Sequence, residues 1–205
     1  MKKISIKEVF KKSWKNVKAN MLFLVTSTFV YFVLSDLLKV DGKREMGSLF
    51  IFIASVIVSI LFSVGMYRSG LYVNKGRELS MDVFKVNPQL LLTVLWLTII
   101  SAFFTTLGLI LLIIPGLIVM ARISMASYVL LDRHGNMTAY EAVKESWSLT
   151  KGHTLKILLY FLCIFGLVLL SFLTLGLALV VVTPFIYISG AEIYSILKKE
   201  EHAHE

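Results

Sequence analysis

Residues 89–131 form one apolar run whose single charge is Arg122. As one helix rising 1.5 Å per residue it would be about 64 Å long, roughly twice the hydrocarbon core of a bilayer. Such a run has to fold back on itself. A reversal at Pro115-Gly116 leaves a second arm too short to cross. A reversal at Thr106-Leu107-Gly108 leaves two adequate arms, residues 89–105 and 109–131, and is the expected turn. Pro115 then falls early in the second arm, where it should kink the helix or end a short interfacial piece.

Four more apolar runs complete the pattern: residues 21–38, 48–73, 155–173 and 177–197, the last pair joined by Thr174-Leu175-Gly176. The chain is 57% hydrophobic and 17% charged, with a mean hydropathy of +0.80. A soluble domain carries about 25% charged residues. Lipid is therefore the solvent, and backbone polar groups must be satisfied within helices or a closed barrel. Continuous runs without strict alternation select helices. The expected fold is an all-α membrane protein with six transmembrane helices. The N-terminal basic stretch is too long for a signal-peptide n-region and no A-x-A-like site follows, so residues 21–38 are expected to stay as a span. The single cysteine, Cys163, lies within an apolar run and is expected to act as a small buried hydrophobe.

Two stretches outside the runs are amphipathic at helical period. In residues 5–20, Ile6, Val9, Phe10, Ser13, Trp14 and Val17 share a face, and Lys7, Lys11, Lys12, Lys15 and Lys18 lie opposite. In residues 138–151, Ala139, Val143, Trp147 and Thr150 share a face. Basic helices with tryptophan on the apolar face suit a membrane interface. Ser5 with Glu8, and Thr138 with Glu141, fit capping boxes. The two stretches match at a constant offset: Ser5 with Thr138, Glu8 with Glu141, Lys11 with Lys144, Ser13 with Ser146, Trp14 with Trp147, Lys18 with Lys151. A weaker copy, Asp82-Val83-Phe84-Lys85, sits between them, with Ser80 placed to cap a short helix over residues 81–86. Thr106-Leu107-Gly108-Leu109 recurs as Thr174-Leu175-Gly176-Leu177, each followed by a proline (Pro115, Pro184). Tyr72, Tyr128 and Tyr194 close alternate spans. The simplest account is three pseudo-repeated units, about residues 4–73, 80–131 and 138–197, each an interfacial helix followed by a membrane hairpin.

Of 21 Lys and Arg, those in loops on the far side are Lys39, Lys43 and Arg44. The positive-inside rule then places both termini and the amphipathic helices in the cytoplasm. The net charge of +8 sits beside spans and reads as contact with anionic phospholipid headgroups, not nucleic acid.

Lys7, Lys11, Lys15, Trp14, Lys144, Trp147 and Lys151 are the expected membrane-surface contacts. Arg122 and Glu192 are ionisable residues inside spans, and Arg68 lies near a span end. Intramembrane charges are costly and mark functional sites by default. Arg122 and Glu192 occupy comparable positions in two units and are expected to meet, either neutralising each other, snorkelling to headgroups, or holding a ligand. Ser55, Ser59 and Ser63 recur along one face, reading either as a close-packing seam or as a polar conduit. His134, His153, His202 and His204 lie in loops or tail without metal-ligand spacing, and no catalytic or nucleotide-binding motif appears, so no cofactor is expected.

Ile114-Pro115-Gly116, Ala126-Ser127-Tyr128, Asp132, Ala142, Ser146 and Lys151-Gly152 carry a resemblance. The pattern is similar to a family of bacterial integral membrane proteins of unknown function, related to the membrane domain attached to some glycerophosphoryl diester phosphodiesterases. It covers at least residues 108–198. It implies a cytoplasmic-membrane location and about six helices, and no enzymatic activity, because no soluble catalytic domain is present. The expected role is non-enzymatic, in envelope maintenance or protection through lipids or a membrane partner protein. The alternative is a small transporter or channel with a passage between units.

Overall fold

A computed structural model describes residues 5–38, 45–111 and 113–201. The described residues are all-α: α1 (Ile6–Ala19), α2 (Met21–Leu37), α3 (Glu45–Asn74), a 3-10 helix (Met81–Phe84), α4 (Pro88–Leu111), α5 (Ile113–Ile123), α6 (Ala126–Asp132), α7 (Ala139–Leu149), α8 (Thr154–Phe172) and α9 (Leu179–Glu201). Among the described residues five stretches are long and apolar enough to cross a membrane: Leu49–Asn74, Pro88–Gly108, Pro115–Asp132, Thr154–Phe172 and Leu179–Glu201. The α1–α2 pair makes a sixth if counted as one, bent by 85°. Large apolar side chains cover the outer faces of α2, α4 and α8, with Phe29, Trp96, Phe103, Leu162 and Phe172 all exposed. In water this would be an untenable surface; in lipid it is the required one. The chain is an integral membrane protein.

The second half of α3, with α6 and α9, forms the centre. Val64, Met66 and Ser69 of α3, Val129 and Leu130 of α6, and Ile188 and Ala191 of α9 are fully buried. Small residues set the approach. A Cβ on Gly70 would lie 2.8 Å from the Tyr187 carbonyl oxygen and 2.9 Å from the Ala191 Cβ, so α3 and α9 meet backbone to backbone there. The close approach of α3 to α9 thus falls at Gly70, while Gly65 makes room for the Phe84 ring of the 3-10 turn. Ser55, Ser63 and Ser69 all donate to carbonyls of their own helix (Phe52 O, 2.7 Å; Ile60 O, 2.9 Å; Gly65 O, 2.8 Å). Ser59 is exposed and lies 3.4 Å from the Tyr31 hydroxyl.

The expected turn at Thr106-Leu107-Gly108 is not where the chain reverses. Helix α4 continues to Leu111 and α5 begins at Ile113. Gly108 instead packs against the returning helix, where a Cβ would meet the Gly116 Cα at 2.9 Å. Its lack of a side chain serves the hairpin's close approach, not its bend. Pro115 consequently sits in the first turn of α5, where a missing N–H costs nothing, and it does not kink the span. The span breaks later, at Ser124-Met125, between α5 and α6. The reversal at Thr174-Leu175-Gly176 does occur, with Leu175 and Gly176 at φ 52° and 83°.

The amphipathic helices also differ in detail from expectation. Thr138 and Glu141 form the capping box: the Thr138 N–H donates to Glu141 Oε2 (2.7 Å) and the Glu141 N–H to Thr138 Oγ1 (3.2 Å). Ser5 occupies the N-cap of α1 but makes no side-chain capping bond, so no box forms with Glu8. The short helix expected over residues 81–86 is a 3-10 turn, with Ser80 accepting from the Asp82 N–H. Cys163 is half-buried on α8. The polar loop at residues 39–47 lies largely outside the described residues.

Candidate functional site

The C-terminal ends of α3, α6 and α9 converge on one carboxylate. Asp132 closes α6 and is 5% exposed. Lys75, one residue past α3, donates to its Oδ1 (2.5 Å), and Lys198 of α9 donates to its Oδ2 (2.5 Å). The Tyr194 hydroxyl donates to the same Oδ2 at 3.0 Å. Three apolar helices far apart in sequence are thus tied at one end through a single acid. Two ammonium groups on one carboxylate leave a net positive charge there.

A second ion pair fastens α1 to this end. Lys12 Nζ lies 2.7 Å from Glu192 Oε1, with Lys12 half exposed and Glu192 only 8% exposed. Between the two pairs runs a crevice of about 500 Å³, lined by Lys12, Asn74, Lys75, Asp132, Glu192 and Lys199 among others. Below it the central helices are filled by aromatic rings. Tyr67 of α3 packs edge-on against Tyr128 (4.8 Å) and Tyr187 (4.8 Å). Their polar ends are bonded internally: the Tyr128 hydroxyl donates to the Tyr187 carbonyl (2.8 Å), and the Tyr160 hydroxyl to the Ile186 carbonyl (3.2 Å). Gly190 makes the first possible, since a Cβ there would lie 2.2 Å from the Tyr128 oxygen. A cavity of about 310 Å³ remains among these rings.

Arg122 and Glu192 do not meet. Arg122 turns to α7, where its guanidinium lies 5.3 Å from the centre of the Trp147 ring and donates to the Trp147 carbonyl (3.2 Å). The break after α5 frees the Arg122 carbonyl, which accepts from Ser146 Oγ (2.7 Å) and Thr150 Oγ1 (3.3 Å). That is how α7 docks on the broken span. Each charge expected inside a span therefore turns to an amphipathic helix, Arg122 to α7 and Glu192 to α1. Arg68 donates to the Lys85 carbonyl (2.6 Å) and fastens the loop after the 3-10 turn to α3.

The expected surface residues lie as the periodicity requires. Lys7, Lys11, Lys15, Lys144 and Lys151 are exposed. Trp14 and Trp147 have the same exposure, 43% each. Three matched pairs are buried at both positions: Val9 with Ala142, Ser13 with Ser146, and Val17 with Thr150. Asp132 and Tyr194 were visible in sequence as an acid and a ring at span ends, yet nothing in a linear reading joins them to Lys75 and Lys198. Among the described residues no three His, Cys, Asp or Glu side chains are grouped to hold a metal ion.

A family described as "Protein of unknown function (DUF975)" matches residues 3–201. The chain belongs to this family. The match spans the described helices, from α1 to the last turn of α9. The hub at Asp132 and the Lys12–Glu192 pair both lie within the matched region. No curated protein and no solved structure matches the chain.

Proposed function

We propose that this DUF975 protein is a non-enzymatic, multi-pass protein of a bacterial cytoplasmic membrane that acts in envelope maintenance or protection by engaging anionic phospholipids. Both termini are cytoplasmic. The three units of the sequence reading belong to this proposal, supported by the convergence of α3, α6 and α9 at one end. So does the relationship to the membrane domain of glycerophosphoryl diester phosphodiesterases, which rests on the pattern through Ile114-Pro115-Gly116, Tyr128 and Asp132.

The observation that carries the proposal is the likeness of α1 and α7. Both bury one face on the bundle, hold a tryptophan half in and half out, and expose lysine, Lys7, Lys11 and Lys15 on α1 and Lys144 on α7. A lysine near an anionic leaflet contributes about 1 kcal/mol, so a ring of them adds up to firm lipid preference. The decisive experiment compares cells with and without the gene. Loss of the gene should change the anionic phospholipid fraction or raise envelope permeability to dyes. Wild type should restore both and the Lys11→Gln, Lys15→Gln, Lys144→Gln triple variant should not. An envelope unchanged in both respects, or full rescue by the triple variant, rejects the proposal.

A further inference from the structure

We infer that the crevice at the converging ends of α3, α6 and α9 binds a phosphoryl group that carries a neighbouring O–H or N–H donor. The inference deepens the lipid reading above by giving it a discrete site. Four lysines and two carboxylates line the crevice, Lys12, Lys75, Lys198 and Lys199 with Asp132 and Glu192, so it holds excess positive charge. Three of the lysines are held in place, Lys12 by Glu192 and the other two by Asp132, and Lys199 is exposed beside them. Lys75 and Lys198 are both anchored on the buried Asp132, each spending one of three ammonium protons there. Held side by side they repel, and an anion bridging their remaining protons relieves that. The Asn74 Nδ2 is fully buried, has no hydrogen-bond partner among the described residues, and supplies a further donor. Its Oδ1 is already taken by the Asn16 amide (3.2 Å).

One group in the crevice asks for the opposite. Glu192 gives Oε1 to Lys12, while its buried Oε2 has no partner among the described residues. A bare anion leaves that acceptor unsatisfied. A ligand with both a phosphate and a donor satisfies it, because the phosphate takes the ammonium and amide protons and the hydroxyl or ammonium reaches Glu192. Glycerophosphate and ethanolamine phosphate have this chemistry. A choline phosphate does not, since its quaternary nitrogen carries no proton.

The same chemistry is found in phospholipid headgroups and in soluble phosphoesters, and the test separates them. The full-length protein in a non-ionic detergent is titrated with phosphatidylglycerol, phosphatidylethanolamine and phosphatidylcholine under native mass spectrometry, and separately with glycerol 3-phosphate. Phosphatidylglycerol and phosphatidylethanolamine should be retained in preference to phosphatidylcholine, and Lys75→Gln with Lys199→Gln should weaken them about tenfold, as expected for losing charge-assisted bonds. Lys199→Gln alone, which leaves Asp132 fully partnered, should show part of the loss, and Lys75→Arg with Lys199→Arg should restore binding. Saturable glycerol 3-phosphate binding with the same variant sensitivity assigns the site to a soluble phosphoester. Equal retention of all three lipids, wild-type binding in the double variant, or no binding of lipid or glycerol 3-phosphate overturns the inference. The Lys11→Gln, Lys15→Gln, Lys144→Gln variant should keep this binding, so failure of the crevice and failure of the interfacial helices give different results.

Discussion

Gly70→Val should lower the melting temperature of the detergent-solubilised protein by roughly 5–10 °C, the consequence of about 2–3 kcal/mol of overpacking in a chain of this size. The argument is steric. Even the first added carbon would stand 2.8 Å from the Tyr187 carbonyl oxygen and 3.3 Å from its carbon, and these are backbone atoms that no rotamer change can move. Helix α3 would have to leave α9, taking the Lys75–Asp132 pair at its end with it. Gly166 on α8 provides the control, because a Cβ there meets nothing within 4 Å. Gly166→Ala should be neutral or slightly stabilising, since alanine is the better helix former by about 1 kcal/mol. Equal melting temperatures for Gly70→Val and wild type would remove the α3–α9 contact from the account.

Lys12→Met should destabilise the protein more than Glu192→Gln does. The two partners are unequal: Lys12 is half in solvent, whereas Glu192 is 8% exposed. Removing the lysine strands a buried carboxylate, at a cost of about 3 kcal/mol. Removing the carboxylate merely returns an exposed ammonium to water. The double variant, Lys12→Met with Glu192→Gln, should therefore recover most of the loss, a coupling that a thermal or denaturant double-mutant cycle measures directly. Matching losses for the two single variants, with additive loss in the double, would mean that the pair does not hold α1 to the bundle.

The spans were legible because lipid imposes a length and tolerates few charges. Residues 21–38 and 155–173 differ from α2 and α8 by a residue at one or both ends. The amphipathic helices were legible as well, since lysine and apolar side chains segregate at helical period and Thr138–Glu141 carries its own start signal. The reversal between α4 and α5 was misplaced for a definite reason. Glycine serves both turns and tight helix crossings, and Gly108 serves the second, a role that depends on Gly116 across the hairpin. The partners of Arg122 and Glu192 were hidden for a related reason. Comparable positions on two helices suggest proximity but not which face each side chain leaves from, and both turn to amphipathic helices whose docking a linear pattern does not specify. The Asp132 hub was least visible. Its members, Lys75, Asp132, Tyr194 and Lys198, look in sequence like ordinary residues at span ends, and become a site only when three spans end side by side.

The central claim, that α1 and α7 are equivalent lipid-seated helices, is tested most directly by the depth of their tryptophans. With Trp96 replaced by phenylalanine, variants keeping either Trp14 or Trp147 can be reconstituted in phosphatidylglycerol bilayers and quenched by lipids brominated at shallow or deep acyl positions, and by aqueous iodide. Both tryptophans should be quenched most by the shallow lipid, to a similar extent, and little by iodide, as amphipathic rings at an interface require. Strong iodide quenching of either residue, or clearly different depths for the two, would contradict the claim.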